Sequence, residues 1–144
     1  MSTSGPASDG PCAALARLVA GTNAHDLEAI ARCFAEGYCN ETPAHPARGF
    51  TGKEQVRRNW ARILAKVPDI VAEVVDSAES GDWIWSEWEM RGTRRDGKAH
   101  LMRGVVVFGV AGELIVSARF YLEPVDASGI DVDAAVRRAV GGTS

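Results

Sequence analysis

The sequence predicts an α+β fold, with a curved mixed or antiparallel sheet wrapped around two to three N-terminal helices. Two observations predict it. Apolar residues recur at helical spacing up to Pro68, and beyond it the chain breaks into strand-length runs rich in Val, Ile, Trp, Phe and Tyr. Tight-turn dipeptides join those later runs, Asp96-Gly97 between the second and third and Ala111-Gly112 between the third and fourth. Helices in one block and strands in the next segregate into the two layers of an α+β domain.

Residues 1–10, MSTSGPASDG, read as a flexible N-terminal segment, with Asp9 near a cap position and Pro11 in a first helical turn. Leu15, Leu18 and Val19 carry a first helix to Gly21. A second short helix fits 26–36, with Leu27, Ile30, Ala31 and Phe34 as its apolar stripe and Gly37 placed to stop it. The GYCNETP segment follows as a short strand ended by Pro43. Thr51-Gly-Lys-Glu54 is a capping box, in which each side chain can satisfy an otherwise unpaired backbone N–H. It opens a third helix on which Val56, Trp60, Ile63, Leu64 and Val67 share a face, and Pro68 ends it. Strands are expected at 70–79, 82–93, 99–110 and 113–123. Asp131 can cap a last helix through Val140, and GGTS is a tail. The organisation is therefore a folded body over 11–126, a lead-in before it, and a C-terminal helix and tail over 127–144.

Composition excludes several function classes. With 144 residues, 46% hydrophobic and 24% charged, the chain can bury roughly two-thirds of its unfolded surface in one core. A net charge of −3 leaves no basic footprint for nucleic acid. Arg57-Arg58 and Arg94-Arg95 are pairs that read as solvated charge. No stretch reaches the apolar length of a membrane span, and the first ten residues have neither the basic nor the apolar segment of a secretion signal. Cys12, Cys33 and Cys39 are odd in number and match no CxxC spacing, which points to free thiols in a reducing, cytoplasmic setting. The spacing of Cys39, His45 and His100 does not support a zinc site. Neither a metal nor a cofactor is expected.

Three segments carry a family resemblance: NAHDLEAIARCFAEGYCNETP, GFTGKEQVRRNW and GVVVFGVAGELIVSARFYLEP. Together they resemble the SnoaL-like and ketosteroid-isomerase-like proteins, which share the fold of nuclear transport factor 2. The resemblance covers residues 13–124. It implies a cone-shaped fold with a deep apolar central pocket, and a homodimer built on the outer face of the sheet. Function does not transfer with it, because the family holds isomerases, polyketide cyclases, epoxide hydrolases, dehydratases and non-catalytic binders. The resemblance places Thr42 where steroid isomerases keep a basic aspartate, and Leu18 and Gly104 where they keep the tyrosine and protonated aspartate of the oxyanion hole. None of these can do that work, since a threonine hydroxyl needs a base of its own and Leu and Gly side chains donate nothing. The Asp–Arg–Asp positions of limonene-type epoxide hydrolases fall near Trp88, Met90 and Arg119. Glu41 is one residue out of register with the missing base and should face away from the pocket.

Strand alternation and the family's pocket positions give an expected lining. Asn40 and Thr42 come from the first strand, Ser86, Trp88 and Met90 from 82–93, and His100, Met102 and Val106 from 99–110. Ser117, Arg119 and Tyr121 come from 113–123, while Phe34 and Trp60 approach from the helices. Such a lining suits a small hydrophobic ligand oriented by a few polar groups. His100 stands either solvated at a strand start or inside the pocket, where it is the best acid–base group. Arg119 is either a structural arginine paired to a carboxylate or a partner for ligand charge. Tyr121 is a packed aromatic or a hydrogen-bond donor, and Asn40 and Thr42 can satisfy local backbone. Two functions remain open. In one, a polyketide- or steroid-like carbonyl compound undergoes proton transfer, isomerising or cyclising, with His100 moving the proton and Arg119 and Tyr121 stabilising an enolate. In the other, the protein is a non-catalytic binding or dimeric interaction module. Glu87, Glu89, Arg91, Arg103, Val105 and Val107 are expected on the outer face, as a dimer surface with cross-strand ion pairs.

Overall fold

The computed structural model describes residues 11–141. The 1–10 segment, the Asp9 cap and residues 142–144 of the tail lie outside the described residues. Helix α1 runs Pro11–Asn23 and buries Ala14, Leu15 and Leu18. Its end is fixed to the sheet by Asn23, whose amide Nδ2 donates to Ala72 O at 2.9 Å while its Oδ1 accepts from Ala72 N at 2.7 Å. His25, at φ 56°, turns the chain into α2 (Leu27–Arg32), which Asp26 caps by accepting from Ala29 N at 3.1 Å.

Helix α2 stops well short of residue 36. The Cys33 carbonyl accepts from Ile115 N at 2.9 Å, so sheet pairing captures the chain there. Strand β1 therefore begins at Phe34 and runs to Glu41, and Gly37 lies inside it instead of ending a helix. A 3₁₀ turn over Pro46–Arg48 leads to β2 (Phe50–Thr51), antiparallel to β1 with Cys39 opposite Thr51. That pairing also undoes the predicted capping box. Thr51 belongs to the strand, Gly52 takes the N-cap position at φ 108° with no side-chain cap bond, and its own N–H goes to Tyr38 O at 2.7 Å. Glu54 instead meets Arg57 at 3.6 Å. Helix α3 (Lys53–Lys66) buries Val56 and lays Trp60, Ile63 and Leu64 against the core, the face its spacing predicted.

The remaining strands are β3 (Val71–Ser80), β4 (Trp83–Thr93), β5 (Ala99–Ala111) and β6 (Leu114–Pro124), each within about a residue of its expected bounds. They form a six-stranded sheet in the order β2-β1-β6-β5-β4-β3. Every pairing is antiparallel except β1 with β6, which is parallel, so the sheet is mixed. Helix α4 (Val132–Ala139), capped by Asp131 accepting from Ala134 N at 3.0 Å, buries none of its side chains.

Register decides which side chains meet the helices. The pairs Met90 with Met102, Ser86 with Val106, Phe108 with Ala118, and Val106 with Phe120 put these residues on the concave face, where they join the core. Their neighbours alternate outward: Trp83, Trp85, Glu87 and Glu89 on β4, Arg103, Val105 and Val107 on β5, and Arg119 and Tyr121 on β6. Glu89 lies 3.1 Å from Arg103 and 3.2 Å from Arg91, a cross-strand ion-pair group on that outer face.

Candidate functional site

Between the concave sheet face and α3 lies a cavity of about 340 Å³. Buried rings and aliphatic chains form its floor, among them Phe34, Tyr38, Val56, Ile70 and Met90. Trp60, Ile63, Met102, Phe120 and Leu122 form its walls. Thr42, Arg48, His100 and Glu123 stand around the mouth. Apolar surface dominates, with few polar groups set into it.

One of those polar groups is held with particular care. Tyr38 and Asn40 sit two apart on β1, so their side chains share the inner face. Tyr38 Oη donates to Asn40 Oδ1 at 2.6 Å, and the two residues are only 1% and 8% exposed. Burial pushes the Tyr38 hydroxyl well above its ordinary range, with a smaller contribution from Cys39, so it stays a proton donor at any physiological pH. The bond fixes the Asn40 amide. Its NH2 group has no hydrogen bond among the described residues, and Asn40 lines the cavity.

His100, at the start of β5, is half-buried at the mouth. Burial, and secondarily the Arg94 guanidinium, lower its pKa below the ordinary histidine value of 6.5. The imidazole is therefore neutral near pH 7 and is available as a base. Across the mouth His45 Nε2 lies 3.2 Å from Glu123 Oε2, and Arg48 reaches the same oxygen at 4.0 Å. A carboxylate thus does border the cavity, although Thr42, the position to which the resemblance assigns the base of steroid isomerases, has none. Glu123 is at the rim, paired, and not on the floor.

The sequence-predicted residues divide into three groups. Phe34, Asn40, Thr42, Trp60, Met90, His100 and Met102 all border the cavity, Phe34 from β1 and not from a helix. Ser86 and Trp88 face inward but lie within packed core: Trp88 Nε1 donates to Ser86 Oγ at 2.8 Å, and Ser86 Oγ donates to Val106 O at 2.7 Å. Val106 is buried beside them.

Ser117, Arg119 and Tyr121 are displaced from their expected place. They lie on the opposite face of the sheet, and Ala118, Phe120 and Leu122 face the helices instead. The register of β6 shifts between Gly109 and Val110, and the pairing that follows sets Phe120 against Val106. Arg119 Cζ sits 4.8 Å from the ring centre of Trp83 and 5.9 Å from that of Trp85, a cation–π stack on the outer face. Arg119 forms no ion pair with a carboxylate among the described residues.

The lining residues that reasoning from sequence missed include Tyr38, Arg48, Phe50, Asn59, Phe120, Leu122 and Glu123. Two of these had a signal: Ala118, Phe120 and Leu122 are uniformly apolar, while Ser117, Arg119 and Tyr121 are not. Tyr38 was reachable too, by stepping back two residues from Asn40. Nothing local marks Arg48, which a 3₁₀ turn brings to the rim. No group of three or more His, Cys, Asp or Glu side chains among the described residues could hold a metal ion. No described helix is long and apolar enough to cross a membrane. Cys12, Cys33 and Cys39 are free.

The SnoaL-like domain matches residues 15–118 of the chain. This protein belongs to the SnoaL-like family. Solved structures of similar fold include a proposed isomerase from Bacillus subtilis, 18% identical, TM-score 0.70, covering 92% of this chain and 93% of that one. IdmH, a proposed polyketide cyclase from Streptomyces antibioticus, is 22% identical with a TM-score of 0.67, covering 78% of this chain and 91% of that one. A protein with a ketosteroid-isomerase-like fold from Catenulispora acidiphila, in complex with trimethylamine, is 20% identical with a TM-score of 0.63, covering 75% of this chain and 84% of that one. No functionally curated sequence matches this SnoaL-like chain. At these identities the likeness shows the fold alone.

Proposed function

We propose that this SnoaL-like protein binds a small apolar carbonyl compound, polyketide- or steroid-like, in the cavity. One observation carries the reading: an apolar space of about 340 Å³ is lined by the Asn40 amide, whose orientation Tyr38 fixes and whose NH2 has no hydrogen bond among the described residues. A ligand carbonyl oxygen would complete that amide, and the apolar walls would strengthen the bond. The size lies within the roughly 300–1,000 Å³ range of small-molecule sites. IdmH, described as a proposed polyketide cyclase, lends the same direction by analogy of fold.

In its enzymatic form the reading is proton transfer next to the carbonyl. Neutral His100 takes the α-proton, and the Asn40 amide hydrogen-bonds the enolate oxygen that forms. Isomerisation follows when His100 returns the proton at another carbon of the conjugated enolate. Cyclisation follows when the α-carbon adds to a second carbonyl carbon, whose π bond breaks and whose oxygen takes the proton from His100. The placement of Arg119 and Tyr121 on the outer face favours a second reading, binding without turnover, because it takes both expected enolate-stabilising groups away from the cavity. The outer face supports a homodimer in either case, since Trp83, Trp85 and Tyr121 are exposed there beside the Arg119 stack.

The test pairs 2-tetralone with tetralin, the same bicycle lacking the oxygen. The ketone should bind more tightly, and Asn40→Leu should erase the difference. Equal binding of the two in the wild-type protein removes the carbonyl from the reading. Deuterium exchange at the ketone's α-carbon, faster with protein and lost in His100→Gln, marks the enzymatic form. Tight binding with no exchange assigns the second reading.

A further inference from the structure

A second cleft, of about 730 Å³, opens beside the cavity mouth between the end of α3 and the β4–β5 turn. It is lined by Arg62, Lys66, Arg94 and Arg95, with Asp96 its one carboxylate. Four cations gathered in one cleft stand out in a chain whose net charge is −3. The acid offsets only one of them, since Asp96 Oδ2 pairs with Arg94 Nη2 at 2.6 Å, and three charges are left in excess. Arg95 spends its Nε on the helix end, donating to Ala65 O at 2.6 Å, and its backbone N–H goes to Lys66 O at 2.9 Å. Arg62 and Lys66 form no ion pair among the described residues. Spaced four apart, they lie side by side on one helix face and repel each other. An anion between them would relieve that repulsion.

The cleft is not an isolated surface feature. Ile63 and His100 line both it and the apolar cavity, so the two spaces share a wall at the mouth. A molecule with its apolar body in the cavity emerges beside a cleft with three positive charges in excess.

We infer that the natural ligand is an organic anion, with an apolar body in the cavity and a terminal carboxylate or phosphate in the cleft formed by Arg62, Lys66, Arg94 and Arg95. This rests on the proposal that the cavity receives an apolar compound, and it adds the charged end that selects among such compounds. Carboxylate and phosphate share the chemistry that guanidinium and ammonium groups recognise. The cleft therefore confers specificity, while the Asn40 amide addresses the other end.

The experiment compares decanol, decanoate and decyl phosphate, which carry one chain with no charge, a carboxylate or a phosphate. At low salt at least one anion should bind the wild-type protein roughly tenfold tighter than decanol. The tighter of the two anions identifies the terminal group. Raising salt to about 0.5 M should shrink the advantage and leave decanol unchanged. The Arg62→Ala/Lys66→Ala variant should lose most of it without weakening decanol. Both side chains are exposed, so the variant is expected to fold, and the salt series gives a readout with no substitution at all. If decanol binds as tightly as both anions, or the variant keeps the full advantage, the cleft is solvated charge; the inference fails and the cavity proposal stands. If none of the three binds, both fall.

Discussion

Tyr38 and Asn40, two residues apart on the inner face of β1, form a buried pair in which the hydroxyl donates to Oδ1 at 2.6 Å. The hydroxyl and the amide oxygen satisfy each other, so breaking the pair from one side should cost more than removing it whole. Tyr38→Phe strands the amide oxygen, and Asn40→Leu strands the hydroxyl, each at about 1–3 kcal/mol. In the double variant neither polar group remains to be stranded, so its loss should be smaller than the sum of the two. Urea unfolding of the four proteins measures this. Strictly additive losses, or singles indistinguishable from wild type, would show that the hydrogen bond does not organise the cavity wall.

Gly104, the position to which the resemblance assigns the oxyanion-hole aspartate of steroid isomerases, has no room for a side chain. It lies opposite Trp88 on β5 at φ 152°, and a Cβ built there would stand 2.1 Å from Tyr121 O. The obstacle is the backbone of the neighbouring strand, which cannot swing aside as a long side chain would. Gly104→Ala should therefore cost more than about 3 kcal/mol, or leave the protein insoluble, and Gly104→Asp should fare no better. Thermal unfolding decides the matter. A Gly104→Ala protein with the wild-type midpoint would mean that β5 and β6 adjust freely.

The fold was legible because its signals are strong and local. The change of period at Pro68 and the turn glycines Gly97 and Gly112, at φ 88° and 62°, bounded the long strands nearly to the residue. Failures came where a distant strand overrode a local pattern. The 26–36 stripe is helical by spacing, yet Ile115 takes the Cys33 carbonyl and turns Phe34 into a strand residue. The Thr51–Glu54 box is sound in isolation, yet β1 recruits Thr51. On β6 the error has a different origin. Positions carried over from relatives put Arg119 inside, against an alternation in which Ala118, Phe120 and Leu122 already announced the buried face. Polar residues drew the assignment because the expected chemistry needed them.

His100 ties the proposed chemistry to pH. Its native pKa is lowered, first by burial and then by Arg94, whereas in the unfolded chain it should titrate near 6.5. As pH falls through 6.5 the unfolded state gains a proton that the native state refuses. Stability should decline from there until the pH reaches the lower native pKa, and no contribution should be seen above about pH 7.5. His100→Gln removes this component and should flatten the acid limb of a stability–pH curve. Any His100-dependent exchange should persist from pH 6.5 down to the lowered native pKa, because the imidazole stays neutral over that interval. A ring-proton titration by NMR with a midpoint at or above 6.5 would contradict both expectations.

Trp85 tests the outer face. It is 48% exposed, and Arg119 lies across it and Trp83. A large exposed ring flanked by Trp83, Tyr121 and the Glu89–Arg103 pair has the mixture of aromatic and charged groups found at protein interfaces. Trp85→Glu should leave the subunit folded, since the position is half open to water and Arg119 offers the new carboxylate a partner. The same change would bury two such carboxylates near each other across a symmetric interface, at a cost no rim contact could offset. Light scattering on the wild-type protein should therefore give twice the 15.4 kDa chain mass, and on the variant the chain mass itself, with an unchanged far-ultraviolet circular dichroism spectrum. A wild-type monomer, or a variant that dimerises as before, would leave this aromatic face without the partner proposed for it.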